Sequence, residues 1–126
     1  MIHQFLMAKA EIKTMNLNHI HLRVRDLNAA IGWFETVLKV HPGFQNEHMA
    51  AFSLGAFTLI FDAAEEDVVA TVGFESEDCD RDFRTLVERG AVSIAAPTDK
   101  DWGVRTAYLK GPGELRLEIE GPISKH

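Results

Sequence analysis

The chain has little of several features that would place it in a specialised class of protein. Its one cysteine, Cys79, cannot form a disulfide within the chain, which favours a reducing compartment. No apolar run approaches the ~18 residues of a membrane span. The first residues have too short an apolar stretch for a signal peptide and lack its leading positive charge. We therefore expect a cytoplasmic protein with no membrane partner.

Positive charge is also scarce. The 13 Lys and Arg residues are scattered and are outnumbered by 19 Asp and Glu, which gives a net charge of -6. Because binding to phosphates needs clustered cations, the sequence gives no support to a nucleic-acid partner. With 126 residues, of which 46% are apolar and 25% charged, the chain has the ordinary values of one globular domain that builds its own core.

What the chain does have is one stretch whose two faces differ in chemistry. Residues 18–27 alternate polar and apolar side chains, and successive residues of a strand point to opposite faces of a sheet. Ile20, Leu22 and Val24 make a face that can be buried. His19, His21, Arg23 and Arg25 make the other face, which meets either water or a pocket. These four side chains carry hydrogen-bonding or titratable groups.

The rest of the sequence predicts the same order of elements twice. A helix over about 28–39 follows the first strand, capped by Asp26 or Asn28 and stopped by Pro42-Gly43. Gly90 ends the second helix. Strands are predicted at 44–47, 49–54, 57–62, 68–75, 91–95, 104–110 and 115–120, with an acidic connector at 63–67 and a loop at 97–103. The phenylalanines at strand or helix spacing are expected to be mostly core: Phe44, Phe52, Phe57, Phe61, Phe74 and Phe83.

This repetition predicts an α+β fold of two β-α-β-β-β modules, at about 17–62 and 68–121. Each module has one helix for one face of its sheet. Two such sheets would form a cupped mixed sheet, or trough, with the helices outside and the polar strand faces inside. We expect a single domain at 16–126 after an N-terminal extension at 1–15, to which we attach no function.

Three stretches of the chain are similar to motifs of a known family. Residues 18–38 contain His19, Val24-Arg25-Asp26-Leu27 and Trp33-Phe34; residues 102–105 read Trp-Gly-Val-Arg; and residues 111–118 read Gly-Pro-Gly-Glu-Leu-Arg-Leu-Glu. In their order and spacing they resemble the vicinal oxygen chelate superfamily, which includes glyoxalase I, extradiol dioxygenases, fosfomycin-resistance enzymes and bleomycin-resistance proteins. The resemblance implies paired β-α-β-β-β modules and a homodimer.

The resemblance also implies where a metal would bind. Members that hold a metal use up to four side chains, one from each of the first and last strands of each module. His19 matches the first of these positions and Glu118 the last. The middle positions fall among Thr58, Ile60 and Asp62 and among Ala70, Thr71 and Val72. A catalytic zinc normally has three protein ligands, so His19 and Glu118 are candidate ligands of an incomplete site, with His48 and Asp62 as possible replacements.

Six residues are candidates for binding a ligand in the trough: His19, His21, Arg23, Trp102, Arg116 and Glu118. His19 is open to a metal-binding, a hydrogen-bonding or a structural role. Arg23 stands where an arginine of glyoxalase I helps to hold an anionic thiol cofactor, or it is a solvated strand residue. Without a metal, Glu118 would pair with Arg23 or Arg116. Trp102 is placed to stack on a ligand at the lip of the trough.

Two functions follow from these residues. The first is a small-molecule-binding protein of the glyoxalase/bleomycin-resistance type, without a complete metal site or cofactor, whose acidic balance suits a cationic ligand. The alternative is a metal-dependent enzyme, a glyoxalase-like lyase or isomerase or a dioxygenase, in which His19 and Glu118 hold a divalent metal. The sequence does not name the ligand.

Overall fold

The computed structural model describes residues 18–123, and within them the chain forms two four-stranded sheets. The first module contains β1 (His19–Val24), α1 (Leu27–Trp33) with a π-helical turn (Phe34–Leu38), β2 (Phe44–Gln45), β3 (Met49–Leu54) and β4 (Phe57–Ala63). The second contains β5 (Ala70–Glu75), α2 (Cys79–Glu88), β6 (Val92–Asp99), β7 (Val104–Lys110) and β8 (Leu115–Pro122). The proposed extension at 1–15 lies outside the described residues.

The two sheets have the same strand order. The first runs β1-β4-β3-β2 and the second runs β5-β8-β7-β6. In the first sheet β1 pairs with β4 in parallel, while β3 pairs with both of its neighbours antiparallel. Parallel neighbours need a long connection, which here consists of the helix and two further strands. The predicted fold class, α+β with two β-α-β-β-β modules, is therefore confirmed.

The core of the first module lies between its helix and one face of its sheet. Phe34 packs on Phe52 with ring centroids 4.5 Å apart and meets Phe61 edge-on at 5.3 Å. All three rings are buried. Complete burial of a phenylalanine stabilises a fold by about 1.5–3 kcal/mol, so this cluster holds the helix against the strands. The buried aliphatic neighbours are Leu22, Val24, Leu27, Ala30, Val37, Ala50 and Leu59.

The first helix begins where the sequence predicts and ends differently. The Asp26 carboxylate accepts a hydrogen bond from the Ala29 N–H at 2.9 Å and caps the helix. After Trp33 the chain winds into a π-helical turn, which ends at Lys39 with a φ of 60°. The predicted helix over 28–39 is thus an α-helix of two turns continued by a wider turn.

The second module is built on the same plan. Asp78 caps α2 by accepting from the Arg81 N–H at 3.0 Å. As the alternation in the last strand predicts, Leu115, Leu117 and Ile119 are buried. Beside them are Cys79 and Leu86 of the helix, and Ala107 and Leu109 of β7. The helix and the apolar face of the last strand therefore share the core.

Several local predictions were wrong: besides the strands predicted at 44–47 and 68–75, which are shorter, three differences have a physical reason. β6 continues through Pro97 to Asp99 instead of ending at 95, because it is an edge strand, where a missing N–H is tolerated, and it has register shifts around Ala95. β8 continues through Gly121 to Pro122. At Gly121 a Cβ would lie 2.9 Å from the Ser76 carbonyl oxygen, so the close approach needs glycine. Of the six phenylalanines expected to be mostly core, only Phe52 and Phe61 are buried. Phe57, Phe74 and Phe83 are half-buried, and Phe44, on the two-residue edge strand β2, is 54% exposed.

Within residues 18–123, no helix has the length and apolar character needed to cross a membrane.

Candidate functional site

One face of the first sheet carries its polar and titratable side chains. The strand register places His19 beside Thr58, His21 beside Ile60, and Arg23 beside Asp62. In β3, Met49, Ala51 and Ser53 extend the same face, which we call the open face. Its side chains are exposed or half-buried, whereas the aromatic core lies on the opposite face, where α1 packs. The alternation is confirmed for Leu22 and Val24, which are buried, whereas Ile20, predicted on the same buried face, is 42% exposed.

The most defined contact of the open face joins His21 to Asp62. The His21 Nδ1 atom lies 2.8 Å from the Asp62 Oδ2 atom, and both side chains are partly exposed. An ionised carboxylate only accepts hydrogen bonds, so the Nδ1 atom donates. In the neutral imidazole, the Nε2 atom then keeps its lone pair and can accept a proton, a hydrogen bond or a metal ion.

His19 has a similar arrangement beside it. Its Nδ1 atom lies 2.7 Å from the Asn18 Oδ1 atom, an amide oxygen that also only accepts. The ring centroids of His19 and His21 are 5.5 Å apart, and the ring planes meet at 76°. Two neighbouring imidazoles therefore have their Nδ1 atoms engaged and their Nε2 atoms available. Arg23, the next residue on this face, is exposed.

The polar face of the second sheet carries Glu118. Its Oε2 atom accepts a hydrogen bond from the Tyr108 hydroxyl at 2.9 Å. A Cβ at Gly73 of β5 would be in ordinary van der Waals contact with the Glu118 Oε1 atom, at 3.4 Å. The sequence predicted an arginine partner for this carboxylate, and the donor that the structure shows is a tyrosine. Of the other predicted residues in this module, Arg116 and Trp102 are both exposed.

A cavity of about 500 Å³ opens at the end of the second sheet. Three of its lining residues are acidic: Glu75, Glu77 and Glu120. Ser76 also lines it, and its hydroxyl donates to the Asp82 Oδ2 atom at 2.5 Å. This hydrogen bond is the main cause that lowers the pKa of Asp82 below its ordinary value.

Cys79 has no features of a reactive thiol. It begins α2 and is buried, and its Sγ atom lies 3.5 Å from the Ile119 carbonyl oxygen. Burial, and to a lesser extent the negative charge of Asp80, raises the pKa of the Cys79 thiol to about 11. The thiolate, which is the nucleophilic form, is therefore scarce at neutral pH.

Comparison with known proteins agrees with this fold. A sequence model of the Glyoxalase/Bleomycin resistance protein/Dioxygenase superfamily matches residues 16–119, most of the chain. The chain belongs to this superfamily. The resemblance inferred from the sequence motifs is therefore confirmed. A search of curated protein sequences finds no match to the chain.

Solved structures of the superfamily share the fold at low sequence identity. A glyoxalase/bleomycin resistance protein/dioxygenase from Nocardioides is 19% identical, with a TM-score of 0.77, over 99% of this chain and 93% of that one. A glyoxalase/bleomycin resistance protein from Catenulispora acidiphila is 23% identical, with a TM-score of 0.70, over 86% and 100%. The bleomycin resistance determinant encoded on transposon Tn5 is 17% identical, with a TM-score of 0.72, over 87% and 100%.

The metal site implied by the superfamily resemblance does not fit the residues present. The residue beside His19 on β4 is Thr58, and the residue beside Glu118 on β5 is Gly73. Neither offers the nitrogen or carboxylate that zinc or non-haem iron normally takes. Within residues 18–123, no three His, Cys, Asp or Glu side chains are grouped so that they could hold a metal ion. A metal at His19 and Glu118 would therefore lack the further protein ligands that a catalytic site needs.

Sequence reasoning missed two residues of these contacts. The sequence offers Asp62 only as a candidate metal ligand, although it holds His21, and nothing in the sequence singles out Tyr108. The signal for Asp62 was present in the alternation of β4, which puts Thr58, Ile60 and Asp62 on one face. Its partner was not readable, because the strand order that makes β4 the neighbour of β1 follows from pairing across 41 residues.

Proposed function

We propose that this protein binds a small organic molecule at the open face of its first sheet, as a binding protein of the glyoxalase/bleomycin-resistance type. The observation that carries the proposal is the His21–Asp62 hydrogen bond, which fixes one imidazole beside a second one on an accessible strand face. Fixed polar groups among apolar ones, here Met49, Ala51 and Ile60, are typical of small-molecule sites.

Each residue of the open face has a role in this proposal. The Nε2 atoms of His19 and His21 accept hydrogen bonds from the ligand, and Arg23 donates to a carbonyl or hydroxyl oxygen of it. Asp62 acts through His21, because it fixes the imidazole tautomer and ring orientation. The other three residues that the sequence named for ligand binding, Trp102, Arg116 and Glu118, follow the first module in the chain and stay predictions.

The charge of the molecule supports a ligand with cationic groups. The net charge is -6, and the cavity of the second module is lined by Glu75, Glu77 and Glu120. An acidic protein attracts cations over distances of about a Debye length, roughly 8–10 Å at physiological salt. Bleomycin, the drug after which the Tn5 resistance determinant is named, is therefore a suitable cationic probe.

The alternative function is a metal-dependent enzyme that uses His19 and Glu118. Two observations place it second. Glu118 already accepts a hydrogen bond from Tyr108, and the strand neighbours Thr58 and Gly73 add no ligands. Glyoxalase and dioxygenase assays with added Zn, Ni, Mn or Fe(II) distinguish this enzyme from a binding protein.

The binding proposal is tested by titrating isotope-labelled protein with metal-free bleomycin and following backbone amide resonances. We expect saturable shifts in β1 and β4. His21→Ala and Arg23→Ala should each weaken binding roughly fivefold or more, since one lost hydrogen bond is worth about 1 kcal/mol. His41→Ala is the matched control, because His41 is exposed and also has a carboxylate partner, Glu35.

Bleomycin shifts that avoid β1 and β4 would contradict the position of the site. Unchanged affinity in both His21→Ala and Arg23→Ala would contradict the assigned roles. Turnover in the metal-supplemented assays, lost in His19→Ala and Glu118→Gln, would favour the enzyme instead.

A further inference from the structure

We infer that His19 and His21 together form a binding site for a transition-metal ion of the Zn²⁺, Ni²⁺ or Cu²⁺ class. Asp62 orients His21 by accepting a hydrogen bond from its Nδ1 atom. Both ligands come from one strand of one module. This differs from the arrangement implied by the superfamily resemblance, which takes one ligand from each of several strands. The inference goes beyond the proposed function, because it requires no organic ligand.

The first argument is the state of the ring nitrogens. The His19 and His21 Nδ1 atoms face oxygen acceptors at 2.7 and 2.8 Å, so each carries the ring proton in the neutral form. The lone pair of each imidazole is then on its Nε2 atom. Neutral imidazole nitrogen is a preferred donor for Zn²⁺, Cu²⁺ and Ni²⁺.

The second argument is the spacing of the two rings. A nitrogen–zinc bond of about 2.1 Å and roughly 1.1 Å from a ring nitrogen to the ring centre put each centroid ~3.2 Å from a shared metal. At a tetrahedral angle two such centroids lie about 5.2 Å apart. The observed separation is 5.5 Å and the planes meet at 76°, an edge-to-face arrangement that aromatic rings also adopt without a metal. The centroid spacing is thus compatible with two imidazoles on one ion, and the metal titration below tests this directly.

The third argument is Asp62. Metal-binding histidines almost always donate their second ring N–H to a carboxylate, carbonyl or water, which orients the ring and raises the basicity of the ligating nitrogen. The His21 Nδ1–Asp62 Oδ2 contact at 2.8 Å has this form. Two protein ligands are fewer than the three or four of catalytic and structural zinc sites, so the ion is exchangeable and keeps open positions.

The chain offers a matched control for this arrangement. His41 also places its Nδ1 atom against a carboxylate, Glu35 Oε2, at 2.9 Å. In the part of the chain that the structure describes, only His19 and His21 show a contact between two imidazole rings. His41 thus has the supporting carboxylate without the second ligand.

The experiment titrates tag-free, chelator-treated protein with Ni²⁺, Zn²⁺ or Cu²⁺ alone by calorimetry. Electron paramagnetic resonance of the Cu²⁺ form then counts the coordinated nitrogens. We expect one ion per chain and two ring nitrogens. His19→Gln and His21→Gln should each lower the affinity roughly tenfold or more, and Asp62→Asn about tenfold, since supporting residues typically contribute 10–100-fold. His41→Gln should bind as the unaltered chain does.

Equal affinity in His19→Gln or His21→Gln, or an equal loss in His41→Gln, would overturn the inference. All four substitutions replace partly or fully exposed side chains, so the variants are expected to fold, and thermal unfolding in chelator checks this. Because no organic ligand is present, a failure here leaves the bleomycin titration as a separate test of the proposed function.

Discussion

At the scale of single residues, hydrogen-bond partners decide what the polar side chains can do. His21 is engaged at one ring nitrogen by Asp62, so it can contribute only the other. Glu118 accepts from Tyr108, which places a neutral donor where the sequence suggested a cation. The two candidate metal ligands named from the sequence, His19 and Glu118, therefore differ: one has a neighbouring histidine and the other a tyrosine.

The Ser76–Asp82 hydrogen bond makes stability depend on pH. Ser76→Ala removes a donor to Asp82 and an acceptor of the Asp78 N–H, and should lower the free energy of unfolding at neutral pH by about 1–2 kcal/mol. The hydrogen bond holds the pKa of Asp82 below its ordinary value. Its contribution is therefore complete above about pH 4, the ordinary range of an aspartate, and is lost as the pH falls through the lowered native value.

Urea unfolding of both proteins over a series of pH values checks this prediction. The difference between them should shrink below about pH 4. Ser93→Ala, at an exposed serine of β6, should change stability little. A Ser76→Ala deficit that stays constant into acid would show that Asp82 is not the group involved.

Gly113 combines an unusual backbone angle with a close neighbour. Its φ is 60°, and a Cβ would lie 2.6 Å from the Asp67 Oδ1 atom, which accepts from the Arg25 N–H at 2.9 Å. Gly113→Ala should cost about 1 kcal/mol for the left-handed backbone and about 1 more for displacing Asp67 from its hydrogen bond.

Gly55→Ala separates these two contributions. Gly55 has a φ of 65° and open space around its Cβ position, so alanine there should cost only the backbone part, about 1 kcal/mol. Unfolding by denaturant measures both variants. Equal losses at the two glycines would show that the Asp67 contact contributes nothing.

At the scale of elements, hydrophobic periodicity located the two helices and the buried strands. It missed features that depend on neighbours. Pro97 reads as a strand breaker, yet β6 continues through it, because an edge strand leaves some N–H groups without a ladder partner. Phe44 reads as core, yet β2 is a two-residue edge strand and leaves its ring 54% exposed.

The end of the first helix provides a prediction at this scale. Lys39 ends the π-helical turn with a φ of 60°, and it is the one residue other than glycine with a positive φ within residues 18–123. A left-handed residue with a Cβ costs roughly 1–2 kcal/mol of folding free energy, which glycine avoids. Glycine also raises the entropy of the unfolded chain, which lowers stability by about 0.4–1 kcal/mol. Lys39→Gly should therefore raise the free energy of unfolding by about 0.5 kcal/mol.

Lys39→Ala is the control for that change, because it removes the same side chain and keeps the strained backbone. It should stay within about 0.5 kcal/mol of the unaltered chain in the same denaturant experiment. A Lys39→Gly variant no more stable than Lys39→Ala would indicate that the turn is not strained.

At the scale of the whole molecule, the repeat gives two sheets of the same strand order with unequal chemistry. The first sheet carries the histidine pair and Asp62, and the second carries Glu118, Tyr108 and the acidic cavity. The expected homodimer and the cytoplasmic location stay predictions. The proposed ligand and metal sites both use His19 and His21 of β1.

The sequence by itself determined the fold class, the superfamily and the alternating faces of β1. Periodicity and motif order are local properties, which can be read from the chain without knowing which residues contact each other. Only the tertiary structure decided that Asp62 holds His21, that Tyr108 donates to Glu118, and that Thr58 lies beside His19 and Gly73 near Glu118. The physical reason is that these contacts join different strands. Strand order and register select such pairs, and both are set by packing over the whole module.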